Sequence, residues 1–343
     1  MIDPLHALLI AALLLLVVSF LLWPDRGYFW RWQQFSKLGE RVLVEDALKH
    51  LYKWEYGRDN ASVESLSGAL EITGNRAAQL LVQLEKLRLL ESTGGALQLT
   101  AEGRDYALRI IRVHRLWEHY LAEETGLTEA DWHGAAEARE HHLSPDEVDY
   151  LDERLGHPAY DPHGDPIPTA SGDIAPRRGQ PLTALAVRKL ATIVHIEDEP
   201  ADVYAQLVAE GLYLGMRVEV IEVTPERIRF VADGDIHTLA PLVAANIFVA
   251  PLPEEQRMEG PYESLELLQP QERGKVVRLS PACRGLERRR LMDLGIVPGT
   301  VIEAEMRSPS GDPTAYRIRG AMIALRREQA RQIYIERQME TAQ

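Results

Sequence analysis

His133, Glu137, Glu140 and His141 stand at i, i+4, i+7 and i+8 in the stretch H-G-A-A-E-A-R-E-H-H, a spacing that lines imidazoles and carboxylates along one helical face. A second helical stretch, R-I-I-R-V-H-R-L-W-E-H-Y-L, carries His114 and Glu118 four residues apart. Two such helices can turn oxygen and nitrogen donors toward each other. That donor set suits manganese, ferrous iron or zinc, whereas soft-metal sites recruit thiolate or thioether. Acids and histidines at helical spacing are also the ordinary make-up of a solvated face, so the surroundings decide between the two.

The chain has 343 residues, enough for two or three domains with sizeable cores. Its formal net charge of -14 excludes diffuse nucleic-acid affinity over the whole surface, so any DNA contact must come from a local patch. Cys283 is the single cysteine. Neither a disulfide framework nor a thiolate zinc site can be built from it, which fits a reducing cytosol for the soluble part.

Leu38 to Glu55 reads as helix, and Ser62 to Leu70 and Asn75 to Leu87 as two short helices separated by a tight I-T-G turn. Leu89 to Thr100 follows with a Gly-Gly turn between short apolar strands, which predicts a β-wing. Together these make a winged helix-turn-helix. Its second helix would turn Asn75, Arg76 and Gln79 toward base edges, with Gln83, Lys86 and Arg88 reaching phosphates. A plain helical packing module is the alternative for the same pattern. Thr100 to Glu124 and Asp146 to Leu155 are further amphipathic helices flanking the ligand-bearing one, with Leu108, Ile111 and Leu116 as core.

Two features lie outside this middle region. Leu5 to Trp23 is an almost unbroken apolar run, long enough to cross a bilayer as a helix of roughly 20 residues. Trp23, Tyr28, Trp30 and Trp32 then read as an interfacial belt, and Arg26, Arg31, Lys37 and Arg41 place the positive side after the run. A single-pass anchor in the cytoplasmic membrane is expected, with the remaining domains in the cytoplasm. Toward the other end, Leu207, Gly211, Gly215 and Val218 recur as Leu291, Gly295, Gly299 and Ile302 at a constant offset of 84 residues. Each copy has a short helix, a Gly turn and alternating strands, a spacing suited to a small SH3-like barrel.

The stretch E-A-R-E-H-H-L-S, the following D-E-V and the later P-H-G-D-P-I-P at Pro162 to Pro168 resemble the diphtheria-toxin-repressor family of metal-dependent transcription regulators, over roughly Arg41 to Pro251. Glu137 is similar to the manganese-type branch, where the iron-type branch carries Cys. The second repeat, with G-L-E-R-R-R-L-M-D-L-G-I-V-P-G-T, resembles the ferrous iron transport A (FeoA) domain. The resemblance implies a homodimer that binds Mn2+ or Fe2+ and double-stranded DNA. It implies a regulatory site of Asp46, Glu137, Glu140 and His141, and a supporting site of His114, Glu118 and His133. Lys49 stands where the manganese branch carries a ligand acid. Thr192 and His195 stand where iron-type relatives offer Glu and Gln, which leaves His195 as the candidate ligand from the first barrel.

The expected fold is thus α+β and multidomain. An anchor and interfacial segment (1–36) precedes a winged helix-turn-helix (37–104) and a helical metal-binding and dimerisation domain (105–156). A Pro- and Gly-rich linker (157–180) leads to an SH3-like domain (181–254) and a FeoA domain (262–338). The expected function is a metal-dependent regulator of metal-uptake genes. The alternative is a membrane-anchored metal-sensing module that regulates a transporter by protein contact through its FeoA domain. A metallohydrolase is disfavoured, because no separate general base, phosphate loop or nucleophile motif accompanies the acids.

Overall fold

The computed structural model describes residues 28–57, 60–93, 96–232, 234–252 and 262–338. The apolar run Leu5 to Trp23, and with it the expected anchor, lies outside the described residues. Among the described residues no helix is long and apolar enough to cross a membrane. The chain divides into two compact units, Met1–Arg112 and Val113–Gln343.

In the first unit, α1 (Tyr28–Gly57), α2 (Val63–Ala69) and α3 (Gly74–Lys86) precede a hairpin of β1 (Leu90–Thr93) and β2 (Ala96–Leu99). Ser62 caps α2 in a reciprocal box with Ser65, and the Thr73 hydroxyl caps α3, so both helix starts are set by local side chains. Ala77, Leu80, Leu81 and Leu84 form the buried stripe of α3 at the spacing one helical face demands. They pack with Leu48, Leu51, Leu66, Leu90 and Leu99 into one core. The hairpin pairs Leu90 with Leu99 and Thr93 with Ala96.

After the hairpin, α4 (Ala101–Glu124) begins in the first unit and ends in the second. A Cβ at Gly103 would lie 2.0 Å from the Leu89 carbonyl oxygen, an approach that only glycine allows. Gly103→Ala is therefore expected to lower stability by more than about 2 kcal/mol, read as a fall in the denaturation midpoint. A variant as stable as the parent would mean that the hairpin and α4 separate easily.

The second unit continues with α5 (Glu129–Glu140) and α6 (Pro145–Arg154), the latter started by Pro145 and a Ser144–Glu147 capping box. Leu116, Val148, Leu151 and Ile167 form one small core beneath these helices, and Leu121, Ala122 and Trp132 another. Ile167 places the middle of the expected 157–180 linker in this core. All eight residues from Asp161 to Pro168 are buried, because Asp161 accepts the backbone N–H groups of His163 (2.9 Å) and Asp165 (2.8 Å) and so satisfies the turn internally.

Two antiparallel sheets follow. The first comprises β3 (Gln180–Pro181), β4 (Leu190–Ile196), β5 (Arg217–Val223), β6 (Ile228–Ala232), β7 (Asp235–Leu239) and β8 (Ile247–Pro251), in the order β3-β8-β4-β5-β6-β7. The second comprises β9 (Glu263–Ser264), β10 (Arg273–Leu279), β11 (Val301–Arg307), β12 (Thr314–Ile318), β13 (Ala321–Leu325) and β14 (Ile333–Gln338), in the order β9-β14-β10-β11-β12-β13. The two orders are the same. In each, a short helix leads from the first long strand to the second: α7 (Ala201–Ala209) in the first and α9 (Gly285–Asp293) in the second, with α8 (Pro241–Ala244) and α10 (Arg327–Arg331) before the returning strand. Phe230 and Tyr316 fill corresponding centres.

Candidate metal centre

On α4, His114 and Glu118 project one turn apart, and His133 meets them from α5. The three offer ligand atoms within 4.8 Å of one another. Glu118 is the hub, 1% exposed, with its Oε1 3.1 Å from His114 Nε2 and 3.3 Å from His133 Nδ1. Burial alone would lift its carboxyl, but the positive charge and hydrogen bond of His114, together with His133, hold it well below the usual carboxylate range. His133 is pushed up to about 12, chiefly by Asp198 and then by Glu118 and Glu137. The centre is an anion-rich pocket that holds positive charge.

Two further residues complete it that the sequence reading did not single out. Asp198, in the loop between β4 and α7, brings Oδ2 to 3.3 Å from His133 Nδ1. His163, 2% exposed, brings Nε2 to 3.9 Å from Glu118 Oε1, and Glu118, His163 and Asp198 form a second possible ligand group. The Tyr204 hydroxyl donates to Glu129, so the Nδ1–H of His163 donates into the Tyr204 oxygen at 3.0 Å. The other ring nitrogen, Nε2, has no hydrogen-bond partner. A buried imidazole nitrogen without a hydrogen bond, beside a carboxylate oxygen, fits a cation site.

The loop that carries His163 is fastened to α4 by the residue after His114. Arg115 lies 3.6 Å from Asp161 and 3.4 Å from Asp165, and donates to the Pro166 carbonyl at 2.6 Å. Arg177 approaches Asp165 at 3.7 Å. Burial and the neighbouring Asp165 push the Asp161 carboxyl well above its ordinary value even beside Arg115. Gly164 has φ +92, and a Cβ there would lie 2.2 Å from the Val194 carbonyl oxygen, so the loop lies directly on β4.

The remaining candidates divide among distinct settings. Glu140 is buried at the end of α5, with Oε2 2.5 Å from His114 Nδ1 and Oε1 3.4 Å from His141 Nε2. His114 thus touches Glu118 with one ring nitrogen and Glu140 with the other. Glu137, with its side chain 56% exposed, faces His133 Nε2 at 3.5 Å. Asp46 is half-buried on α1, in the other unit. His195 has Nδ1 3.0 Å from the His163 carbonyl oxygen and Nε2 3.5 Å from Glu197, and its ring rests on Phe248. It braces the loop, and Asp198 is the first-sheet residue that reaches His133. On α3, Asn75, Gln79 and Lys86 are exposed, as is Arg88 just beyond, while Gln83 is half-buried and Arg76 is ion-paired with Glu40 of α1.

Residues 100–169 match the family model described as iron dependent repressor, metal binding and dimerisation domain, and residues 263–337 match the FeoA domain. Over 100 residues the chain is 36% identical to the iron-dependent repressor IdeR of Mycobacterium leprae, covering 29% of this chain and 44% of that one. The chain therefore spans less than half the length of this curated relative. It is 39% identical over 70 residues to a probable metal transport system membrane protein of Chlamydia trachomatis, covering 20% of this chain and 16% of that protein. A manganese-dependent transcriptional repressor solved in complex with manganese superposes with a TM-score of 0.56 at 28% identity, over 60% of this chain and 100% of that one.

Proposed function

We propose that this chain, a member of the diphtheria-toxin-repressor family by its helical domain and the carrier of an additional FeoA domain, is a metal-dependent DNA-binding transcriptional regulator that works as a homodimer. The observation that carries the reading is the set of three imidazoles and two carboxylates formed by His114, His133, His163, Glu118 and Asp198, in which His163 Nε2 is buried without a hydrogen-bond partner. Oxygen and nitrogen donors without thiolate favour Mn2+ or Fe2+. His114, Glu118 and His133, joined by His163 and Asp198, would hold one ion. Asp46, Glu137, Glu140 and His141 would hold the other. The two sheets correspond to an SH3-like domain and a FeoA domain.

A bound cation supplies positive charge that like-charged carboxylates can share. Asp46 belongs to the module that carries α3, and Glu140 and His141 to the helical domain, so ligation from both ties the reading head to the dimerisation platform. With α3 in the major groove, Asn75 and Gln79 address base edges, and Lys86 and Arg88 address phosphates. Arg76 would reach a base only by leaving Glu40.

The test is binding of the full chain to a pool of duplex DNA by fluorescence anisotropy, with and without Mn2+ or Fe2+. Metal-dependent, salt-sensitive binding is expected, and Glu140→Gln should abolish the metal stimulation while leaving the fold intact. Stimulation that survives in the variant would overturn the assignment. Tyr204→Phe should preserve the fold but weaken Mn2+ uptake about tenfold, because the hydroxyl that fixes the His163 tautomer is gone. A titration of Mn2+ against a fluorescent competitor reads this directly, and equal affinity would remove Tyr204 from the role.

A second reading rests on the apolar run Leu5 to Trp23 and on the likeness to a metal-transport membrane protein. The chain would then be a metal sensor held by a single pass at the cytoplasmic membrane, its other domains in the cytoplasm, contacting a transporter through its FeoA domain. The salt dependence of DNA binding separates the two, since a flat response favours protein contact.

A further inference from the structure

Of the segments that supply ligands at Glu118, three have a neighbour that faces the second sheet module, residues 262–338. His119 follows Glu118, and Pro162 precedes His163. Both line a cavity of about 340 Å³ together with Cys283, Arg284 and Arg288. Trp132 precedes His133 and lines a separate cavity of about 260 Å³ with Leu214, Arg284 and Leu286. Arg284 and Pro162 border both cavities. At the bridge between them Arg284 donates Nη1–H to the Pro162 carbonyl at 3.5 Å and Nε–H to the Pro281 carbonyl at 3.3 Å.

The start of α9 presses on the last turn of α4. A Cβ at Gly285, which has φ +54, would lie 2.5 Å from the Thr125 carbonyl oxygen and 3.1 Å from that of Ala122. A Cβ at Gly126 would in turn lie 3.3 Å from Leu286 Cδ1. Arg289 reaches Glu124 at 3.3 Å, and Arg154 of α6 reaches the same carboxylate oxygen at 3.5 Å. The first sheet module joins the contact through Tyr213, whose hydroxyl lies 2.9 Å from that of Tyr334.

We propose that the second sheet module is a brace for the metal centre: its docking through Arg284, Gly285 and Arg289 holds α4 and the Pro162–His163 loop in the ligating arrangement and so sets the metal affinity of the Glu118 cluster. The wall it presses on is the back of that cluster. At Gly285 and Arg284 the two surfaces touch directly, between the cavities, so a displacement there passes to the end of α4 and to the Pro162–His163 loop. This rests on the reading that the cluster binds Mn2+ or Fe2+, and it adds a regulatory role for a domain to which that reading gave none. Coupling of two binding events is reciprocal, so metal also tightens the docking, and any partner that pries the module away loosens the metal.

The experiment is a Mn2+ titration of the full chain and of two single variants. In Gly285→Val a side chain must displace the Thr125 carbonyl, and in Arg284→Ala the tie to Pro162 is lost. Each is expected to bind Mn2+ about tenfold more weakly than the parent, within the usual range of coupling between sites. In the parent, Mn2+ should also slow modification of Cys283 by a thiol reagent, because the cavity it lines closes more often. Parental Mn2+ affinity in both variants overturns the brace. A parent chain that takes up no Mn2+ overturns the metal reading itself, and the brace with it.

Discussion

Glu118→Gln lowers Mn2+ affinity at least about a hundredfold, the largest loss expected from any single change in the chain. The substitution preserves size and shape while replacing an anion with an amide. Oε1 of Glu118 is the atom that His114, His133 and His163 share, at 3.1, 3.3 and 3.9 Å. Without its charge a cation is left in a pocket lined mainly by imidazoles. The metal-free protein changes as well. His133 keeps its proton partly because Glu118 faces it, and removing one partner of a buried pair typically costs about 3–5 kcal/mol. The variant should therefore unfold at lower temperature and at the same time lose the shift in melting temperature that Mn2+ gives the parent. A variant that melts early but is still raised by Mn2+ as the parent is would make Glu118 structural only.

Gly164→Ala should be nearly as damaging although it touches no ligand. Its Cβ would lie 2.2 Å from the Val194 carbonyl oxygen and 2.9 Å from the Cα of His195, both on β4, and its φ of +92 is one that alanine avoids. Both neighbours are backbone of β4, where His195 pairs with Phe248 of β8 and Val194 stands at the irregularity before it. The loop must lift, and His163 lifts with it. Mn2+ affinity in Gly164→Ala is therefore expected to fall by as much as in His163→Ala, measured side by side. Parental affinity in Gly164→Ala combined with a loss in His163→Ala would mean that the loop moves without carrying the imidazole away.

What could be read from the sequence was what repeats locally. The apolar stripe of α3 and the Ser62 start of α2 were legible because each acts within one turn of itself, whereas Thr73 and Ser144 start helices that were read from Asn75 and Asp146. His114 with Glu118, and His133 with Glu137, were legible as pairs four apart on helices. The constant offset between Leu207 and Leu291 was enough to anticipate two copies of one sheet, and both sheets do have the same strand order. His163 and Asp198 were not legible, since each comes from an irregular segment whose place is fixed by groups far along the chain. His163 is set by Asp161, Arg115 and Tyr204, and Asp198 by the end of β4. For the same reason the Pro- and Gly-rich composition of 157–180 read as a linker, although Arg115 and the internal hydrogen bonds of Asp161 allow its polar backbone to be buried. Composition records which groups are polar, not which of them find partners.

The two sheet modules meet the helical domain with the same loop, the one between the first long strand and the following short helix. In the first copy that loop brings Asp198 to His133, and in the second it brings Arg284 to Pro162. The shared strand order accounts for the common geometry, and the residue at the loop tip accounts for the difference. The first copy has an acidic tip that faces His133, and the second has a basic tip that grips main chain. Division of labour of this kind makes the copies unequal under mutation. The acidic tip tolerates only residues that can ligate, whereas the basic one tolerates any residue that still holds a carbonyl, so the second loop is free to vary in ways that the first is not.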